Sequence, residues 1–122
     1  MKKIYSLLFT ITLVASLHAQ WSELGGLNGL AANDHIHWVC SDASGNIYAG
    51  GWFTNSSGNQ YVAKYDGSAW SELGGLNGLA ANSDIEYVYS DASGNIYGAG
   101  FFTNSSGNRY VAKYDGNAWS EL

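Results

Sequence analysis

The sequence predicts an all-β protein made of two copies of one four-stranded antiparallel unit. Three observations predict it. A 49-residue segment beginning W-S-E-L-G-G-L-N-G-L-A-A-N at Trp21 returns at Trp70, and W-S-E-L starts again at Trp119; 39 of the 49 positions match. A match of that quality implies a duplication with one shared backbone for both copies. Within each copy, short runs with apolar or aromatic residues at every second position are separated by clusters of Gly, Asn, Asp and Ser, as strands are separated by tight turns. Sixteen Gly and no Pro, with 46% hydrophobic residues, favour a packed, turn-rich fold over long helices or disorder.

The first nineteen residues stand outside the repeat. Lys2 and Lys3 give a positive start, Ile4 to Leu17 is a largely apolar stretch, and Ala19 follows. The pattern predicts a secretory signal peptide over 1–19, with a cut after Ser16 as the alternative because Leu17 occupies a position usually held by a small residue. The stretch is shorter than the roughly 20 residues that cross a bilayer as a helix. No membrane insertion is expected after cleavage, and an uncleaved anchor is the competing reading. No Cys follows the apolar run to carry a lipid. The expected address is secreted, cell surface or periplasmic.

Residues 20–35 are expected to hold a spare outer strand at Trp21–Leu24 and a crossover. A first four-strand meander spans 36–73, a second crossover 74–84 and a second meander 85–122. In the first meander Ile36, Trp38 and Cys40 alternate with His37, Val39 and Ser41; the second has Ile85, Tyr87 and Tyr89 against Glu86, Val88 and Ser90. Asp42-Ala43-Ser44-Gly45-Asn46 reads as a turn, followed by a strand over Ile47 to Phe53 in which Gly50 and Gly51 admit close approach of another backbone or sheet. A polar loop over Thr54 to Asn59 leads to a strand over Tyr61 to Tyr65. Asp66-Gly67 marks a hairpin into a last strand over Ala69 to Leu73, with Trp70 facing Ala63 or Tyr65 according to the turn register.

A repeat of this length, with a crossover from the outer edge of one meander to the inner strand of the next, is how β-propeller blades are joined. The fold expected is thus two four-stranded antiparallel β-propeller blades, a partial propeller, with an extra N-terminal outer strand. The segments S-D-A-S-G-N-I-Y, G-G-W-F-T-N-S-S-G-N and V-A-K-Y-D-G-S-A-W-S-E-L-G resemble the repeats of bacterial secreted β-propeller proteins of kelch-like type. That resemblance covers essentially all of 21–122 and implies a binding scaffold. It departs from the family in blade number, since propellers close with about 4–8 blades. Two blades leave two apolar faces open. Either the chain is part of a longer repeat protein or several copies assemble, the competing fold being an eight-stranded sandwich.

Without residues 1–19, Lys64, Arg109 and Lys113 stand against ten acidic residues, a net charge of about −7. Such a surface repels phosphate backbones, so no nucleic acid is expected as partner. Cys40 is the only cysteine and is replaced by Tyr89 in the second copy, so it reads as a packing residue with no disulfide to form.

Half of the ten differences between the copies fall at 34, 35, 37, 38 and 40, on or just before the inner strand that would line the channel. Asp34, His35 and His37 in the first copy, with Asp84 and Glu86 in the second, are the candidate ligand-facing residues. Two imidazoles at alternate positions can share a metal, against the plainer reading of a solvated polar rim. No cofactor and no catalytic residue are assigned. Asp42, Ser44 and Asn46 only faintly resemble a calcium loop, because the glycine comes too early and no distal Glu follows. Asn55-Ser56-Ser57 and Asn104-Ser105-Ser106 fit the glycosylation sequon but read as exposed loops. Trp21, Trp70 and Trp119 recur with the repeat and suit packing better than sugar stacking. The leading functional expectation is a non-enzymatic binding or scaffold module for an unknown protein or glycan. A metal-assisted hydrolase or lyase and a self-assembling structural unit are the alternatives.

Overall fold

The computed structural model describes residues 20–122, so the leader expected over 1–19 lies outside the described residues. Among the described residues there are eight strands and no helix: β1 (Ile36–Ser41), β2 (Ile47–Gly51), β3 (Ala63–Tyr65), β4 (Trp70–Glu72), β5 (Ile85–Ser90), β6 (Ile96–Gly100), β7 (Ala112–Tyr114) and β8 (Trp119–Glu121). They form two separate sheets, β1-β2-β3-β4 and β5-β6-β7-β8, each an antiparallel meander in chain order. The second, third and fourth strands of the first sheet are shorter than their sequence patterns suggest. At the end of β2 the Trp52 N–H already turns to the His35 carbonyl, at 2.9 Å.

The hairpin register is settled by Asp66, whose carboxylate accepts the N–H groups of Ser68 and Ala69, each at 2.9 Å. That turn sets Trp70 opposite Tyr65, with ring centroids 5.4 Å apart, and the second sheet repeats the pair as Tyr114 and Trp119. Aromatic pairs of this kind add about 0.2–1 kcal/mol to a hairpin.

One expectation about side-chain direction is overturned. A β-bulge between Ile36 and Trp38, repeated between Ile85 and Tyr87, inserts one residue opposite the glycines of the next strand. The extra residue moves Ile85 to the face of Val88, so both are buried while Tyr87 and Tyr89 are exposed. Strict alternation had set Ile85 with Tyr87. Gly51 makes the bulge feasible, because a Cβ there would collide with the His35 carbonyl oxygen.

The expected spare outer strand is a second correction. Trp21–Glu23 belong to no strand and Trp21 is fully exposed. The same residues at Trp70–Glu72 form β4 because β3 lies alongside; no third-strand copy stands beside Trp21 among the described residues. The crossover that follows is tied to the sheet it leads into. The Trp70 indole N–H donates to the Leu24 carbonyl at 2.8 Å, and Trp119 donates to Leu73 at 2.9 Å.

The two sheets pack face to face through one seam. Duplicated residues reveal it, because the same side chain differs in burial between copies. Val62 is buried while Val111 is 41% exposed, and Leu73 is buried while Leu122 is 71% exposed. Conversely, Ile85 and Val88 are buried where Ile36 and Val39 are 47% and 57% exposed. Tyr48, Val62 and Leu73 of the first unit thus share a core with Ile85, Val88, Ile96, Phe102 and Ala112 of the second. Withdrawing about half of each aliphatic side chain from water contributes on the order of 1 kcal/mol apiece. At the centre of the seam Ile85 and Val88 press on Gly50, where a Cβ would lie 2.7 Å from a methyl of each. Gln60 and Ala81 exchange two backbone hydrogen bonds of 3.0 and 3.2 Å, joining the first unit to the crossover.

Candidate functional site

β1 and β5, the first strands of the two sheets, lie beside each other with like positions meeting. His37 faces Glu86, Trp38 packs edge-on against Tyr87 with centroids 5.2 Å apart, and the Ser90 hydroxyl donates to the Ser41 carbonyl at 2.7 Å. Because each residue meets its own duplicate, an undiverged pair at the bulge would set two like groups together. Divergence instead brings His37 Nδ1 to 3.2 Å from Glu86 Oε1, with each side chain about one quarter exposed. The contact is an ion pair whenever the imidazole is protonated.

Both histidines of the first copy rest on Trp52. The His37 ring stacks on the indole with centroids 5.4 Å apart and planes 24° apart, and His35 meets it edge-on at 5.6 Å. The two imidazole centroids are 6.4 Å apart. Asp34 holds His35 rather than His37: its carboxylate accepts the His35 backbone N–H at 2.8 Å and lies 2.6 Å from Nδ1. Hydrogen bonding, first to the His35 ring and then to its N–H, draws the Asp34 carboxyl below the usual range.

The five candidate residues therefore divide. His37 and Glu86 meet across the seam, Asp34 and His35 meet within the first unit, and Asp84 joins neither pair through a side-chain hydrogen bond or ion pair among the described residues. Among the described residues no group of three or more His, Cys, Asp or Glu side chains is placed to hold a metal ion. Trp52 is the residue that sequence reasoning missed. A signal was present: Trp52 becomes Phe101 in the copy where His35 and His37 become Asp84 and Glu86. The second unit covers Phe101 differently, with the Arg109 guanidinium 4.5 Å from the ring centroid.

The other sequence motifs are used within the fold. Asp42 accepts hydrogen bonds from the Ser44 and Asn46 N–H groups, the Asn46 amide and the Tyr48 hydroxyl, at 2.8–3.0 Å. Burial works to raise its pKa, and these hydrogen bonds outweigh burial and lower it. In the second copy the same set, led by the Asn95 amide, holds Asp91 down to about 2. Burial and the Asp42 carboxylate push the Tyr48 hydroxyl upward. These are closed turns, with both carboxylate oxygens engaged. The Asn55 amide is likewise occupied by Glu72 and Asn77, at 2.9–3.1 Å. Cys40 is partly buried, and burial pushes its thiol upward.

Comparison with protein-family models, curated proteins and solved structures finds no match to this chain.

Proposed function

We propose that the chain is an exported, non-enzymatic repeat module of the kelch-like β-propeller type, acting as a scaffold for a protein or glycan partner. In this reading the sheets are successive blades, 36–73 and 85–122, and β1 and β5 line the central channel. One observation carries the reading: the free Ile36–Val39 face and the free Val111–Leu122 face duplicate the two halves of the seam. A contact whose two halves recur on the outer faces is one that further blades can extend. Those blades come from further repeats of a longer parent chain or from other copies. Export is supported by Lys2, Lys3 and the apolar run to Leu17. A glycan partner is supported by Trp52, partly exposed and flanked by imidazoles and carboxylates, since an amphipathic ring next to polar groups suits a sugar face.

Inserting in-frame copies of 21–69, which carry Gly50 at each new junction, ahead of Trp70 in an Ala99→Gly background tests the architecture. Electron microscopy is expected to show a closed ring with a central opening at about 4–8 blades. An open ribbon at every length would overturn it. On a glycan array, the Trp52→Ala chain is expected to lose the sugars that the parent chain retains; equal retention would remove the channel group from the reading.

A further inference from the structure

The two outer faces differ at the one position where the seam is tightest. In the resident contact Ile85 and Val88 bear on Gly50, and a Cβ there would stand 2.7 Å from Ile85 Cγ2 and from Val88 Cγ2, and 3.4 Å from Ile85 Cβ. Both methyls belong to β-branched side chains, which cannot swing aside cheaply. The residue duplicating Gly50 is Ala99. It lies at the equivalent point of β6, partly exposed, in an open cleft lined also by Val111 and Leu122, the duplicates of Val62 and Leu73. The outer face of the first sheet, by contrast, keeps the apolar residues that build the resident contact: Ile36 for Ile85, Val39 for Val88, and Leu30 and Ala32 for Leu79 and Ala81.

We infer that Ala99 is a specificity residue that stops a second copy of this chain from stacking its Ile36–Val39 face on the second sheet. The Ile36–Val39 face accepts instead a repeat unit of the same class with glycine at the Gly50 position. The inference rests on the repeating-face reading proposed above and adds direction to it. If the resident geometry were continued, the Ala99 methyl would meet Ile36 and Val39 as a Cβ on Gly50 would meet Ile85 and Val88. Adding one methyl to a close-packed contact weakens it by roughly tenfold to a hundredfold. The neighbouring Ala49/Gly98 exchange does not offset this. It lies on the opposite face of the strand, where a Cβ on Gly98 would find only Val62, at 3.9 Å. The two free faces are thus not complements of each other, and the chain takes different neighbours on its two sides.

Mixing experiments with the secreted form, residues 20–122, test the inference. The Ile36→Asp variant has a disabled front face and the native Ala99 rear face; a second variant adds Ala99→Gly. Ile36 is about half exposed, so the aspartate is compatible with folding, and circular dichroism matched to wild type checks this. Sedimentation velocity of wild type with each variant is expected to give a 1:1 complex with Ile36→Asp/Ala99→Gly at least tenfold tighter than with Ile36→Asp alone. Equal complexes with both would leave the repeating faces standing and overturn the role of Ala99. No complex with either would overturn the repeating-face reading, and the inference with it.

Discussion

Placing alanine at Gly50 and, separately, at Gly98 is one chemical change whose sign the structure sets oppositely. Neither glycine has positive φ, so neither substitution meets backbone strain. Both gain from reduced freedom of the unfolded chain, roughly 0.4–1 kcal/mol. At Gly50 the new methyl would sit 2.7 Å from two β-branched methyls in the buried seam, and overpacking of that kind costs about 1–3 kcal/mol. The balance for Gly50→Ala is a loss of roughly 1–2 kcal/mol. At Gly98 the nearest atom is Val62 Cγ2 at 3.9 Å, an ordinary contact, and the duplicate position already holds Ala49 in a buried setting. Gly98→Ala is therefore expected to be neutral or to stabilise by up to about 1 kcal/mol. For a domain of about 100 residues, 1 kcal/mol moves Tm by roughly 4–8 °C. Thermal unfolding of residues 20–122 followed by circular dichroism reads both. A Tm for Gly50→Ala equal to wild type, or a Gly98→Ala loss as large as that at Gly50, would refute the seam as described.

Two further outcomes follow from the turn and the cross-sheet pair. The Asp91 carboxyl titrates near 2 when folded, below the value of about 4 for an unfolded Asp, so its turn contributes stability above about pH 4 that is lost as pH falls toward 2. Asp91→Asn should flatten acid unfolding between those limits, and an unchanged slope would show that the turn carries no such linkage. Across the seam, a double-mutant cycle of His37→Ala and Glu86→Gln, run at a pH acidic enough to protonate imidazole, should give a coupling of under about 1 kcal/mol that shrinks with salt, as fits a pair about one quarter exposed. A coupling of zero at low salt would remove the pair as a link between the sheets.

The candidate site was legible in the sequence only to the extent that the copies differ. Positions 37 and 86 stand out because they diverge, and the structure pairs them across β1 and β5. Trp52 escaped because an indole in a duplicated aromatic position looks like packing until the two imidazoles are seen lying on it. Asp84 was drawn in because it diverges from His35, and divergence does not tell which way a side chain next to a bulge points.

The chain by itself determined what depends on near neighbours: the duplication, the number and order of strands, and turns such as Asp66–Ala69 that set hairpin register through their own side chains. Tertiary structure decided what depends on the other sheet. Ile36 and Ile85 sit in nearly the same local sequence, yet one is half exposed and the other buried, because only Ile85 has a sheet to pack against. The contact of Ile85 on Gly50 and the absence of a strand at Trp21 likewise depend on what lies alongside, whereas the bulge recurs in both copies and belongs to each sheet by itself. Local patterns fix which groups are apolar, while burial is fixed by whatever arrives opposite them.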